Sequence, residues 1–157
     1  MNIDNDKNGA AVKFPPPLIY LICMLVGYAA HYFYPIGLGI SSGLNYIGVG
    51  VAMLGICMVI LISRSFKRAE TNIEPWKPTT KIISIGIYAY SRNPVYVGFC
   101  FVPIGIGIFF NSFWILIGFI PSAVLVYYVA ISKEEAYLEE KFGEEYVHYK
   151  SKVRRWL

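Results

Sequence analysis

Between Phe14 and Ser63 the chain carries no Lys, Arg, Asp or Glu, and the same holds from Asn93 to Ser132. One bilayer crossing needs roughly 20 predominantly apolar residues, so each stretch predicts two crossings. A water-soluble fold would need charged side chains to cover surfaces of this length. Only 15% of the residues are charged, against roughly a quarter in soluble domains. The expected fold is an all-α integral membrane protein with about four transmembrane helices and interfacial helices at its cytoplasmic C-terminal end, built as a single membrane domain over 1–157. The net charge of +4 does not predict nucleic-acid binding, because the basic groups cluster at the edges of apolar stretches, where they act as topology signals. Cys23, Cys57 and Cys100 all fall in apolar segments and read as small packing residues, so neither a disulfide nor a metal site is expected.

The chain divides into a cytoplasmic N-terminal segment (1–17), two spans (18–63), a cytoplasmic loop (64–93), two further spans (94–131) and cytoplasmic C-terminal helices (132–157). No cleavable leader is expected at the polar N-terminus. Pro15, Pro16 and Pro17 announce the first span, and Tyr32, Phe33 and Tyr34 form an aromatic belt at its far end. Gly48, Gly50 and Gly55 give the second span a small-residue face for close helix packing. Pro103 and Pro121 lie inside the third and fourth spans, where such residues mark kinks. The loop holds Arg64, Lys67, Arg68, Lys77, Lys81 and Arg92 against Glu70 and Glu74, while the turns at 35–43 and 111–112 carry no charge. The positive-inside rule then puts the loop and both termini in the cytoplasm. In the tail, Phe142, Tyr146, Tyr149, Val153 and Trp156 recur at helical spacing, an apolar face expected on the membrane surface or against the loop. Gly143 is the expected stop between two short helices.

Three features at the cytoplasmic edge can carry chemistry. In Ser91-Arg92-Asn93-Pro94-Val95-Tyr96, Asn93 is placed as a helix N-cap and Pro94 as the first helical residue. A helix start beside an arginine fork suits a carboxylate or phosphate, although a plain helix start with Arg92 as a topology anchor would look the same. Glu134 and Glu135 follow the last span. Adjacent helical residues point about 100° apart, so at most one faces a site; Glu135 reads as solvated, or as part of a capping box with Ser132. Trp76, Tyr88, Tyr90 and Tyr96 offer ring faces to a cation, or make an interfacial belt. His31 and His148 have no plausible ligand set and are read as non-functional.

The segment from Glu74 to Gly98, containing Lys-Pro-Thr-Thr-Lys and Ser-Arg-Asn-Pro-Val-Tyr, together with Glu134-Glu135 and Phe142-Gly-Glu-Glu-Tyr-Val-His-Tyr-Lys150, resembles the isoprenylcysteine carboxyl methyltransferase family and the related phospholipid methyltransferases. The resemblance covers about residues 70–156. It implies methyl transfer from S-adenosylmethionine bound at the cytoplasmic side. Carried over by position, cofactor contacts fall on Thr80, Lys81, Ile82, Ile83, Tyr88, Asn93, Pro94, Val95, Tyr96 and Glu134. Arg92, the donor fork beside the helix start, and Glu134 are the candidate catalytic residues. The chain departs from the eukaryotic members in having Asn93 in place of a usual His, Glu70-Thr71 in place of a common Gly-Thr, and Ala130 in place of an arginine that meets the substrate.

The reading that follows is a bacterial-type multi-pass methyltransferase of the inner membrane, acting on a lipophilic acceptor that enters from the bilayer among membrane lipids. An NADPH-dependent membrane reductase is the alternative within enzymes, and a non-catalytic small membrane protein is the alternative outside them.

Overall fold

The computed structural model describes residues 9–157, so the expected N-terminal segment lies outside the described residues up to position 8. The regular elements of the described chain are helices, its only strand-like feature a single parallel bridge between Ser91 and Arg154. Helix α1 covers Pro16–Phe33, with two prolines in its first turn, where their missing N–H groups cost nothing. A short 3-10 turn at Leu44–Tyr46 leads into α2, Ile47–Arg68. Lys67 and Arg68 occupy the last turn of α2, where positive charge complements the helix C-terminus. Helix α3 is Pro94–Phe109. The chain then continues as α4 (Phe113–Ile117), α5 (Phe119–Val126), a π-helical turn (Tyr127–Ile131), α6 (Ser132–Phe142) and α7 (Glu144–Lys152).

Three helical stretches are long and apolar enough to cross a membrane: Pro16–Phe33, Leu44–Arg68 and Phe113–Phe142. The expected third span, α3, is apolar but has 16 residues. At about 1.5 Å per residue it reaches roughly 24 Å, short of the roughly 30 Å hydrocarbon core. The expected fourth span is not one plain helix. Pro121 has no N–H to offer the carbonyl of Ile117, and the α-helix is interrupted between Ile117 and Phe119.

The described contacts gather into two units. The apolar unit comprises Pro16–Val59 and Val95–Val126. Here α1 packs on α4 and α5, with a Cβ at Gly27 reaching within 2.8 Å of the Trp114 carbonyl. Gly48 meets the backbone at Gly105, and Gly55 meets it at Gly98, so two glycine pairs of equal spacing bring α2 and α3 together. Gly50, expected on the same face, meets nothing within 4 Å. Asn111, at φ +50°, turns the chain into α4 while its side-chain oxygen accepts from the Leu38 amide at 2.9 Å. Ser112 caps α4 by accepting from Ile115.

Of the described residues, the polar unit comprises Gly9–Pro15, Ile60–Pro94 and Tyr127–Leu157. Gly143, at φ +54°, ends α6. The tail's apolar residues Tyr146, Tyr149 and Val153 form a buried cluster against Ile82, Leu138 and Phe142. Of the two placements expected for this face, the loop is therefore the one observed.

Candidate functional site

The polar unit is organised around the short hook that precedes α3. The Arg92 amide donates to the Arg154 carbonyl at 2.9 Å, pairing the hook with the chain just beyond α7. Ser91 Oγ and Asn93 Nδ2 both donate to the Arg155 carbonyl, at 3.4 and 3.1 Å. Arg92 Nη1 donates to the carbonyls of Lys150 and Val153, at 2.9 and 3.3 Å. A helix leaves its last carbonyls without intrahelical partners, and here an arginine supplies them.

Arg92 Nη2 turns the other way and donates to Glu135 Oε1 at 2.9 Å. Arg155 donates to the same carboxylate twice, Nε to Oε1 and Nη2 to Oε2, both at 2.9 Å. Arg155 also lies over the Tyr127 ring, 5.0 Å from its centroid. Glu135 is 7% exposed, which overturns its reading as a solvated charge. The capping box expected with Ser132 is also absent. The chain is already helical at Ile131, and Ser132 Oγ donates back to the Tyr128 carbonyl. Burial by itself would push the Glu135 carboxyl up; hydrogen bonds from Arg155 and the charge and hydrogen bond of Arg92 overcome that and hold it below the usual carboxylate range. Arg155 is correspondingly raised by its hydrogen bond to Glu135. Arg92 Nε is buried and has no hydrogen-bond partner.

Beside this hub stands the Tyr88 loop. Tyr88 occupies the 3-10 turn Gly86–Ala89 and is buried. Its carbonyl accepts from Tyr149 Oη at 2.7 Å, and its ring meets Phe66 edge-on at 5.7 Å. Burial, then the negative charge of Glu134, push the Tyr88 phenol well above its ordinary range. Tyr88 is thus a neutral phenol. Glu134 itself is half-buried. Burial also raises the Tyr149 phenol to about 12, against the lowering effect of Arg92.

The loop segment before Tyr88 is clipped at several points. Thr80 N donates to Thr71 Oγ1 at 2.9 Å, and Thr80 Oγ1 donates to the Glu70 carbonyl at 2.9 Å. Thr79 N donates to Tyr137 Oη on α6 at 3.1 Å. Ile82 joins the tail cluster, Ile83 is half-buried, and Lys81 is exposed. The polar unit thus gathers Ile82, Tyr88, Arg92, Asn93 and Glu134 round one cluster, with Thr80 tied to the base of the loop. Val95 and Tyr96 belong to the apolar unit, where Tyr96 is buried and its carbonyl accepts from Tyr20 Oη at 3.1 Å. Trp76 and Tyr90 are exposed.

Glu135 and Arg155 are the members that sequence reasoning missed. The signal for Glu135 was its place one residue from Glu134 on a helix, which leaves open which of the two turns inward. Arg155 carries no local signal, because it lies in a basic C-terminal run.

A family model described as phospholipid methyltransferase matches residues 44–145, a range that holds the Tyr88 loop, the α3 hook and both α6 carboxylates. Among curated proteins, the chain is similar to the protein-S-isoprenylcysteine O-methyltransferases of Schizosaccharomyces pombe, 39% identical over 46% of this chain and 30% of that protein, and of Xenopus laevis, 27% identical over 70% and 39%. It is also 70% identical to an uncharacterized protein of Haemophilus influenzae over 17% of this chain and 43% of that protein. The matched stretches span less than half the length of each of these relatives. With three helices long and apolar enough to cross, this is an integral membrane protein.

Proposed function

The chain belongs to the phospholipid methyltransferase family, and on that premise we propose that it transfers a methyl group from S-adenosylmethionine to a lipophilic acceptor arriving from the bilayer. The observation that carries the reading is that the matched range brings the Tyr88 loop and the hook before α3 onto one tail, Tyr88 accepting from Tyr149 and Asn93 donating to the Arg155 carbonyl, with the half-buried carboxylate Glu134 next to the Glu135 hub.

The donor set fits a cationic ligand with polar ends. Glu134 would attract the amino group or sulfonium, and the Tyr88 ring adds a face that favours positive charge. Asn93 would meet a ribose hydroxyl. The backbone of Thr80, Lys81, Ile82 and Ile83 would line the ligand from the loop side. S-adenosylmethionine, when bound, supplies a methyl group already activated by its sulfonium. The residues therefore have to bind, align and exclude water, rather than generate a strong nucleophile. Tyr88 stays protonated through the neutral range. A carboxylate acceptor would need no general base.

The proposal extends to topology. The basic loop at 64–93 supports a cytoplasmic placement of the polar unit and of both termini, in a bacterial inner membrane. It takes α3 as a fourth, short crossing, accommodated by local thinning of the bilayer.

Calorimetric titration of the full chain in detergent with S-adenosylhomocysteine, with NADPH in parallel, tests the cofactor. Micromolar affinity for the first, weakened at least about tenfold by Glu134→Ala, is the expected result. Binding of NADPH alone would overturn the reading.

A further inference from the structure

The tail is bound to the start of α3 by more than a surface helix requires. Main-chain carbonyls at 150, 153, 154 and 155 all accept from the hook at Ser91–Asn93. Those bonds fix the tail's backbone but leave open what fixes the side chain of Arg155. Glu135 does so: Oε1 takes Arg92 Nη2 and Arg155 Nε, while Oε2 takes Arg155 Nη2, each at 2.9 Å.

A buried ionic hub is a poor way to gain stability alone, since apolar packing of equal volume does as well or better. What the planar guanidinium fork provides is direction: two parallel bonds to one carboxylate fix angle as well as distance. Both oxygens of Glu135 are taken up by arginines, so it is placed to orient other groups. We propose that Glu135 is the positioning residue of the methyl-transfer site, clamping Arg92 to Arg155 so that residues 150–155 hold Asn93 and the α3 start where the cofactor meets them. The proposal rests on the cofactor reading above. It assigns Arg92 an anchoring part, in keeping with the commitment of both its terminal nitrogens to protein acceptors.

The test uses the full chain with Arg155→Ala and Arg155→Lys. Arg155 is 37% exposed at its side chain, so its truncation leaves less buried charge unpaired than loss of Glu135 would. Amide hydrogen exchange at Arg92 reports the clamp, and calorimetry with S-adenosylhomocysteine reports the site. Arg155→Ala is expected to speed exchange of the Arg92 amide and to weaken S-adenosylhomocysteine roughly tenfold. Arg155→Lys, which keeps the charge but loses the fork, is expected to fall between. Glu134→Ala is expected to weaken the ligand while leaving Arg92 exchange at the wild-type rate. Faster exchange with unchanged affinity in Arg155→Ala would reduce the hub to a structural tie and overturn the proposal, as would unchanged exchange. Failure of the wild-type chain to bind S-adenosylhomocysteine would overturn the cofactor reading, and the positioning role with it.

Discussion

At the scale of single residues, Glu135 and Glu134 are neighbours with opposite circumstances. Glu135 is enclosed by two guanidinium groups, whereas Glu134 is half-buried and acts on Tyr88. Glu135→Ala leaves Arg92 and Arg155 without their shared counterion, and removing one partner of a buried pair costs about 3–5 kcal/mol. Denaturant unfolding of the detergent-solubilised protein is expected to show a loss of that order for Glu135→Ala. The same residue sets an acid limb. Its folded pKa lies below that of an unfolded glutamate. Its contribution is therefore fully present above that value and lost as pH falls through the folded pKa. Unfolding midpoints measured from pH 6 down to pH 3 should fall for wild type and run flatter for Glu135→Gln. Tyr149→Phe removes one hydrogen bond to the Tyr88 carbonyl, at a cost of about 1 kcal/mol.

At the scale of elements, the helices of the apolar unit meet where side chains are missing. Gly48 and Gly55 of α2 press on the backbone of α3 at Gly105 and Gly98, so a branched side chain at any of them must push the helices apart. Gly105→Val is expected to lower the thermal unfolding midpoint of the purified protein markedly, and Gly50→Val hardly at all, since Gly50 meets nothing nearby. The contrast marks what the sequence made legible. A small-residue face on the second span could be read from composition, and Gly48 and Gly55 belong to it. That Gly50 does not depends on the rotation of α2 against its partner, which three glycines on one helix do not encode. The tail shows the same division. The periodicity of Tyr146, Tyr149 and Val153 predicts one apolar face, but a membrane surface and an Ile82-bearing loop are equally good partners for it until the fold chooses. The hub lies furthest from sequence reasoning, because Arg92, Glu135 and Arg155 are brought together only by tertiary structure.

For the whole molecule, two charge-free stretches were enough to announce a membrane protein, because the energetic demand of a bilayer is written directly in composition. They were less informative about length: α3 fills an apolar stretch yet ends at 16 residues. The resemblance of the Tyr88 loop, the α3 hook and the α6 carboxylates to a methyltransferase family agrees with the family match over residues 44–145. The polar unit holds those elements together by hydrogen bonds. The most direct test of the account is transfer of a tritiated methyl group from S-adenosylmethionine, by the full chain in lipid vesicles, into material extracted by organic solvent. Protein-dependent label in the organic phase is expected, abolished by Glu134→Ala and reduced by Arg155→Ala. No label above the protein-free control, across phospholipid and isoprenylated carboxylate acceptors alike, would contradict it.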